Sequence, residues 1–124
     1  MIPVPLFPNE TVAVVGLARS GLSAARSLKA GGARVIAWDD QEKGRALAEG
    51  EFDVVAPENW NWDKLKAIVL SPGIPLTHPK PHPIVVEAGK RGVEVIGDVE
   101  LFCRTLKMLG HFNGNGGPAF FSQG

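Results

Sequence analysis

The chain has a single cysteine, Cys103, so an internal disulfide is excluded, and nothing around it suggests a metal site or a nucleophile. It is read as a packing residue. No apolar run approaches the roughly 18–20 residues that a membrane helix needs. The first residues, Met1 to Pro8, lack a basic stretch and their apolar character is broken by prolines, which argues against a signal peptide. Neither sign of charge is in excess: 13 basic residues face 13 acidic ones, with no long run of either. That balance gives no encouragement to nucleic-acid or membrane-surface binding. A cytoplasmic, monomeric protein is expected.

What the chain does have is enough for one globular domain. Its 124 residues fit a single unit and its 44% hydrophobic content supports a core. Short β-branched runs alternate with helical patterns. Strands are predicted at Thr11–Val15, Arg34–Trp38, Phe52–Val55, Ala67–Leu70 and Val93–Ile96. Between them lie predicted helices at Ser20–Ala30, Glu42–Glu49 and Ile84–Arg91, and a last one follows Asp98, taken as its N-cap, to about Leu106. The stretch from Pro57 to Lys66 is ambiguous, with Trp60 and Trp62 read as packing residues. This alternation predicts an α/β fold: a Rossmann-like, five-stranded parallel sheet of order 3-2-1-4-5, with helices on both faces. The domain is placed at residues 1–106. Residues 107–124 form a glycine-rich tail without either period, expected to be disordered.

Three features carry possible chemistry. Gly16-Leu17-Ala18-Arg19-Ser20-Gly21 falls between the first strand and first helix and fits G-x-G-x-x-G with Ala18 at the second glycine. The small residues permit a tight turn, close phosphate approach and close helix–sheet packing, and the open helix end favours an anion. Arg19 and Ser20 are candidates for side-chain contacts. The alternative is a glycine turn that binds nothing. Asp39 closes the second strand, about where dinucleotide enzymes place an acid for the ribose, roughly 20 residues past the glycine motif. It suits a ribose or a base of another nucleotide equally, or a solvated turn. Ser71-Pro72-Gly73-Ile74-Pro75 ends the fourth strand, so with the predicted order it shares a crevice with the glycine loop; Pro-Gly would also make a rigid turn by itself. His78 and His82 lack partners at metal-ligand spacing, and Lys80, Lys90 and Arg91 read as surface charges.

Taken together, Val15 to Ser23, Asp39, Ser71 to Pro75 with His78-Pro79, and Gly97-Asp98-Val99-Glu100-Leu101-Phe102 resemble the N-terminal domain of the Mur ligases, in their D-glutamate-adding branch. The likeness runs over roughly residues 9–106. It implies an ATP-dependent amide-forming ligase of peptidoglycan synthesis, whose first domain binds the UDP part of UDP-N-acetylmuramoyl-L-alanine. It also implies that Gly16 and Ala18 to Gly21 meet the diphosphate, that Asp39 and Asp40 lie by the uracil, and that Ser71, Pro72, Gly73 and Ile74 line the site. In the family's full-length enzyme ATP and magnesium activate the substrate carboxylate. Here no lysine follows Lys107, whereas the family continues into a G-T-N-G-K-[ST] phosphate loop. A chain that binds the uridine nucleotide, holds no cofactor and catalyses nothing alone is therefore expected. The competing reading is an NAD(P)-binding module of an oxidoreductase or sensor.

Overall fold

A computed structural model describes residues 3–72 and 82–110. The elements in order are β1 (Thr11–Val15), α1 (Arg19–Ala30), β2 (Arg34–Trp38), α2 (Glu42–Ala48), β3 (Asp53–Val54), two short 3-10 turns (Pro57–Asn59 and Trp62–Lys64), β4 (Leu65–Leu70), α3 (Pro83–Arg91), β5 (Glu94–Gly97) and α4 (Asp98–Met108). The five strands form one sheet of order β3-β2-β1-β4-β5, every pairing parallel. This is the expected topology.

Strand periodicity divides the core in two. Val12 and Val14 of β1 and Ala67 and Val69 of β4 point to one face, where they meet Leu22, Ala25 and Leu28 of α1, Ala48 of α2 and Leu101 of α4. Ala13, Val15, Ile68 and Leu70 point to the other, against Ile84 and Ala88 of α3 and against Trp60. Because both faces are covered, the central strands read as continuous apolar runs. The second face carries one full helix. Its remaining cover is the connection from β3 to β4, where Trp60 and Trp62 lie 5.2 Å apart and donate their indole N–H groups to the carbonyls of Val55 and Pro57. Packing was their expected role.

Several boundaries differ from expectation. β4 starts two residues early, at Leu65, and β3 shrinks to Asp53–Val54. Asp98 is the first residue of α4 instead of its cap: Gly97 caps, and the Asp98 carboxylate accepts a hydrogen bond from Ser20 on α1 instead of from its own helix. Helix α4 runs on to Met108, and Cys103 on it is half-buried. Ahead of β1, Val4 and Phe7 are buried in the core cluster that α1 also fills, and the Val4 N–H donates to the Ser27 carbonyl at 2.9 Å. Arg91 is more than a solvated charge, since it lies over the Trp62 ring at 5.1 Å and pairs with Glu87 at 2.6 Å. The tail from residue 111 and the segment 73–81 lie outside the described residues. Among the described residues no helix is long and apolar enough to cross a membrane.

Candidate functional site

Sheet register assembles the site. Val15 pairs with Trp38 on one side and with Leu70 on the other, so Gly16, Asp39 and Ser71 leave the sheet side by side at its carboxyl edge. Strand order reverses there, between β1 and β4, which is where open α/β sheets place their ligands.

The loop after β1 is held from both neighbours. Gly16 has φ +91, a left-handed conformation that favours glycine, and its N–H donates to the Trp38 carbonyl at 2.8 Å. Its carbonyl accepts the hydroxyl of Ser71 at 2.7 Å. Leu17 is fully buried, and its N–H donates to Asp39 Oδ2 at 2.7 Å. Helix α1 then begins from Ala18, an extended residue with no side-chain cap, and its first turn contains no acid. The leading amides of a helix have no partner within it, so the positive end of α1 opens at the crevice. Gly21 sits against this loop. A Cβ there would lie 1.7 Å from the Gly16 carbonyl oxygen and 2.6 Å from Ser71 Oγ, so no side chain fits without moving backbone.

Asp39 is turned inward. While Oδ2 holds Leu17, Oδ1 accepts the Gln41 N–H at 2.8 Å. The carboxylate also packs under α2, where a Cβ on Gly44 would approach Oδ2 to 2.2 Å. Arg45 closes the turn by donating to the carbonyls of Asp39 and Asp40, with its guanidinium 4.8 Å from the Trp38 ring centre.

Asp40 faces outward and joins a chain that sequence reasoning missed. Trp38 Nε1 donates to its Oδ1 at 3.1 Å, and His82 Nε2 lies 2.5 Å from its Oδ2. His82 caps α3 at the same time, because its Nδ1 accepts the Ile84 N–H at 3.0 Å. An accepting Nδ1 places the ring proton on Nε2, so His82 donates to Asp40. Partial burial pushes the Asp40 carboxyl up, but the hydrogen bonds from His82 and Trp38 and the nearby positive charge outweigh it, and the group ionises below the usual carboxylate range. His82 could have been flagged as a helix cap from its place before Pro83, since proline favours the first turn. Nothing in the sequence gives its partner.

The other expected site residues are distributed as follows. Ala18, Arg19 and Ser20 are exposed at the head of α1, but the Ser20 hydroxyl donates to Asp98 Oδ2 at 2.6 Å. Pro72 is exposed beside Ser71, whereas Gly73 and Ile74 lie outside the described residues. Arg19, Ser20, Asp98 and Phe102 border an open groove of about 640 Å³ between α1 and α4. Among the described residues no group of three His, Cys, Asp or Glu side chains is placed to hold a metal ion.

Residues 10–97 match the family model described as Mur ligase MurD-like, N-terminal domain. The UDP-N-acetylmuramoylalanine–D-glutamate ligase of Phenylobacterium zucineum is 51% identical over 107 residues, covering 86% of this chain and 23% of the relative. The ligase of the same name from Caulobacter sp. strain K31 is 55% identical over 108 residues, with the same coverage, and that of Nitrobacter hamburgensis is 54% identical over 105 residues. The chain thus spans about a quarter of the length of these relatives. Among solved structures, the crystal structure of shikimate dehydrogenase from Aquifex aeolicus superposes with a TM-score of 0.59 at 18% identity, over 80% of this chain and 46% of that one. At that identity the likeness is one of fold.

Proposed function

The chain belongs to the Mur ligase MurD-like N-terminal domain family, and on that premise we propose that it binds the uridine diphosphate part of UDP-N-acetylmuramoyl-L-alanine for a ligase of peptidoglycan synthesis. The observation that carries the proposal is the head of α1: uncapped, free of acid in its first turn, and fixed at the switch point by the tie from Ser71 to Gly16. A helix start of this kind offers oriented N–H donors and a positive dipole end to a diphosphate. The amides from Ala18 to Gly21 take the phosphates, and exposed Arg19 adds its charge. Ser20 contributes mainly through its N–H, because its hydroxyl proton is directed to Asp98. Asp40 follows β2, and we place the uracil on that side.

The dinucleotide alternative needs an acid at the end of β2 that is free for ribose hydroxyls. Asp39 has that position, yet its carboxylate is turned inward to the Leu17 and Gln41 N–H groups and packs under α2, whereas its exposed neighbour Asp40 keeps acceptor capacity toward solvent. This favours the uridine nucleotide.

Amide formation belongs to the parent ligase, with ATP and magnesium. The residues of this chain do not fit that pair: the sequence has no glycine-rich loop followed by Lys and Ser or Thr, and the described residues hold no cluster of metal ligands. The 124-residue chain is therefore expected to show no turnover. Thermal shift tests the binding proposal. UDP is expected to raise the melting temperature in a concentration-dependent way, since a ligand of the folded state stabilises it, and Arg19→Ala is expected to reduce the rise. A larger rise with NAD than with UDP would overturn the reading.

A further inference from the structure

Resting on the uridine-nucleotide reading, we propose that His82 is a positioning residue for the nucleotide site, acting through Asp40. Topology gives the first reason. Helix α1 packs on one face of the sheet and α3 on the other, as their buried residues show. The head of α1 therefore bounds the crevice from one side. His82 begins α3 on the opposite side, after β4, and reaches Asp40 in the turn after β2. Because β1 lies between β2 and β4, this bond joins the turn after the strand on one side of β1 to the connection that follows the strand on its other side.

The bond is built to hold. The His82 side chain is only 12% exposed, and one ring nitrogen is fixed by the Ile84 N–H while the other meets Asp40. Asp40 is 56% exposed, and its second oxygen is held by Trp38, whose ring is covered by Arg45. A ring with both nitrogens engaged has a defined orientation, and a hydrogen bond to an ionised carboxylate is of the stronger kind. A surface aspartate on a free turn would sample several rotamers. Here two donors on separate elements leave it one. His82 need not touch the nucleotide: it sets where the carboxylate and the 39–41 turn stand when the nucleotide arrives, which lowers the ordering cost of binding.

The test is a UDP titration of the 124-residue chain followed by 1H–15N spectra, using His82→Asn, Asp40→Asn and the double variant. Asn is a preferred N-cap, so His82→Asn keeps an acceptor for the Ile84 N–H while it is too short to reach Asp40. Expected are a shift of the Trp38 indole N–H signal without nucleotide, and UDP binding weakened by about fivefold or more. The double variant is expected to bind no more weakly than Asp40→Asn, because the two residues act as one unit. Should His82→Asn melt early, His82→Gln, which retains a donor for Asp40, is expected to keep wild-type affinity. Undiminished UDP binding by His82→Asn, a double variant in which the two losses add in full, or lost affinity in a folded His82→Gln would each overturn the positioning role while leaving the nucleotide reading intact. Absence of UDP binding by the wild-type chain would overturn the nucleotide reading, and the inference with it.

Discussion

Ser71 Oγ donates to the Gly16 carbonyl at 2.7 Å, tying the end of β4 to the loop after β1 across 55 residues of sequence. The Ser71 N–H makes the same connection one residue earlier, to the Val15 carbonyl at 3.0 Å. Two strands that flank the switch point are thereby locked at the level where the helix begins, and the space they enclose is the space Gly21 occupies.

Gly21→Ala is therefore expected to destabilise the chain by about 1–3 kcal/mol or more, the range for overpacking. The new methyl would stand 1.7 Å from a backbone oxygen that is itself fixed by Ser71. Ser71→Ala removes one buried hydrogen bond and is expected to cost about 1 kcal/mol. Urea unfolding followed by circular dichroism checks both. A Gly21→Ala variant with the wild-type midpoint would show that the turn is placed wrongly.

Two further glycines make a paired prediction. At Gly44 a methyl would meet the Asp39 carboxylate at 2.2 Å, whereas at Gly89 in α3 nothing lies within 4 Å. Gly44→Ala is expected to lower the melting temperature and to shift the Leu17 amide resonance as Asp39 is displaced. Gly89→Ala is expected to stabilise by up to about 0.5–1 kcal/mol through helix propensity. Equal effects at the two sites would contradict the packing described for α2.

Asp40 gives a pH dependence of known sign. Partial burial raises its carboxyl, but the hydrogen bonds from His82 and Trp38 lower it further than burial raises it. A carboxyl depressed on folding contributes stability above its unfolded value, about 3.9, and loses that contribution as pH falls through the folded value. The side chain is 56% exposed, so the contribution is expected to stay under about 1 kcal/mol. Asp40→Asn should thus be less stable than wild type near about pH 6, and the gap should close as pH falls through the carboxyl's lowered folded value. A gap that widens in acid would reverse the assignment.

Much of this was legible in the sequence because strands buried on both faces announce themselves as unbroken β-branched runs, as in Thr11–Val15 and Ala67–Leu70. The crossover rule then left few orders, and 3-2-1-4-5 is found. The glycine motif was legible for the same local reason. What sequence could not give were contacts between residues far apart in the chain. Nothing local says that Asp39 folds back onto Leu17, that Ser20 reaches Asp98, or that His82 finds Asp40. Val4 and Phe7 were hidden differently: prolines break their pattern, yet the segment runs along α1 and buries both.

The central claim, a uridine diphosphate held at the head of α1, is tested most directly by chemical shift mapping with UDP. The largest perturbations are expected on the amides from Gly16 to Gly21 and on Ser71, with smaller ones at Asp40. UDP should produce them at lower concentration than NAD. Perturbations confined to the opposite edge of the sheet, where Thr11, Arg34 and Leu65 begin their strands, or tighter binding of NAD than of UDP, would contradict it.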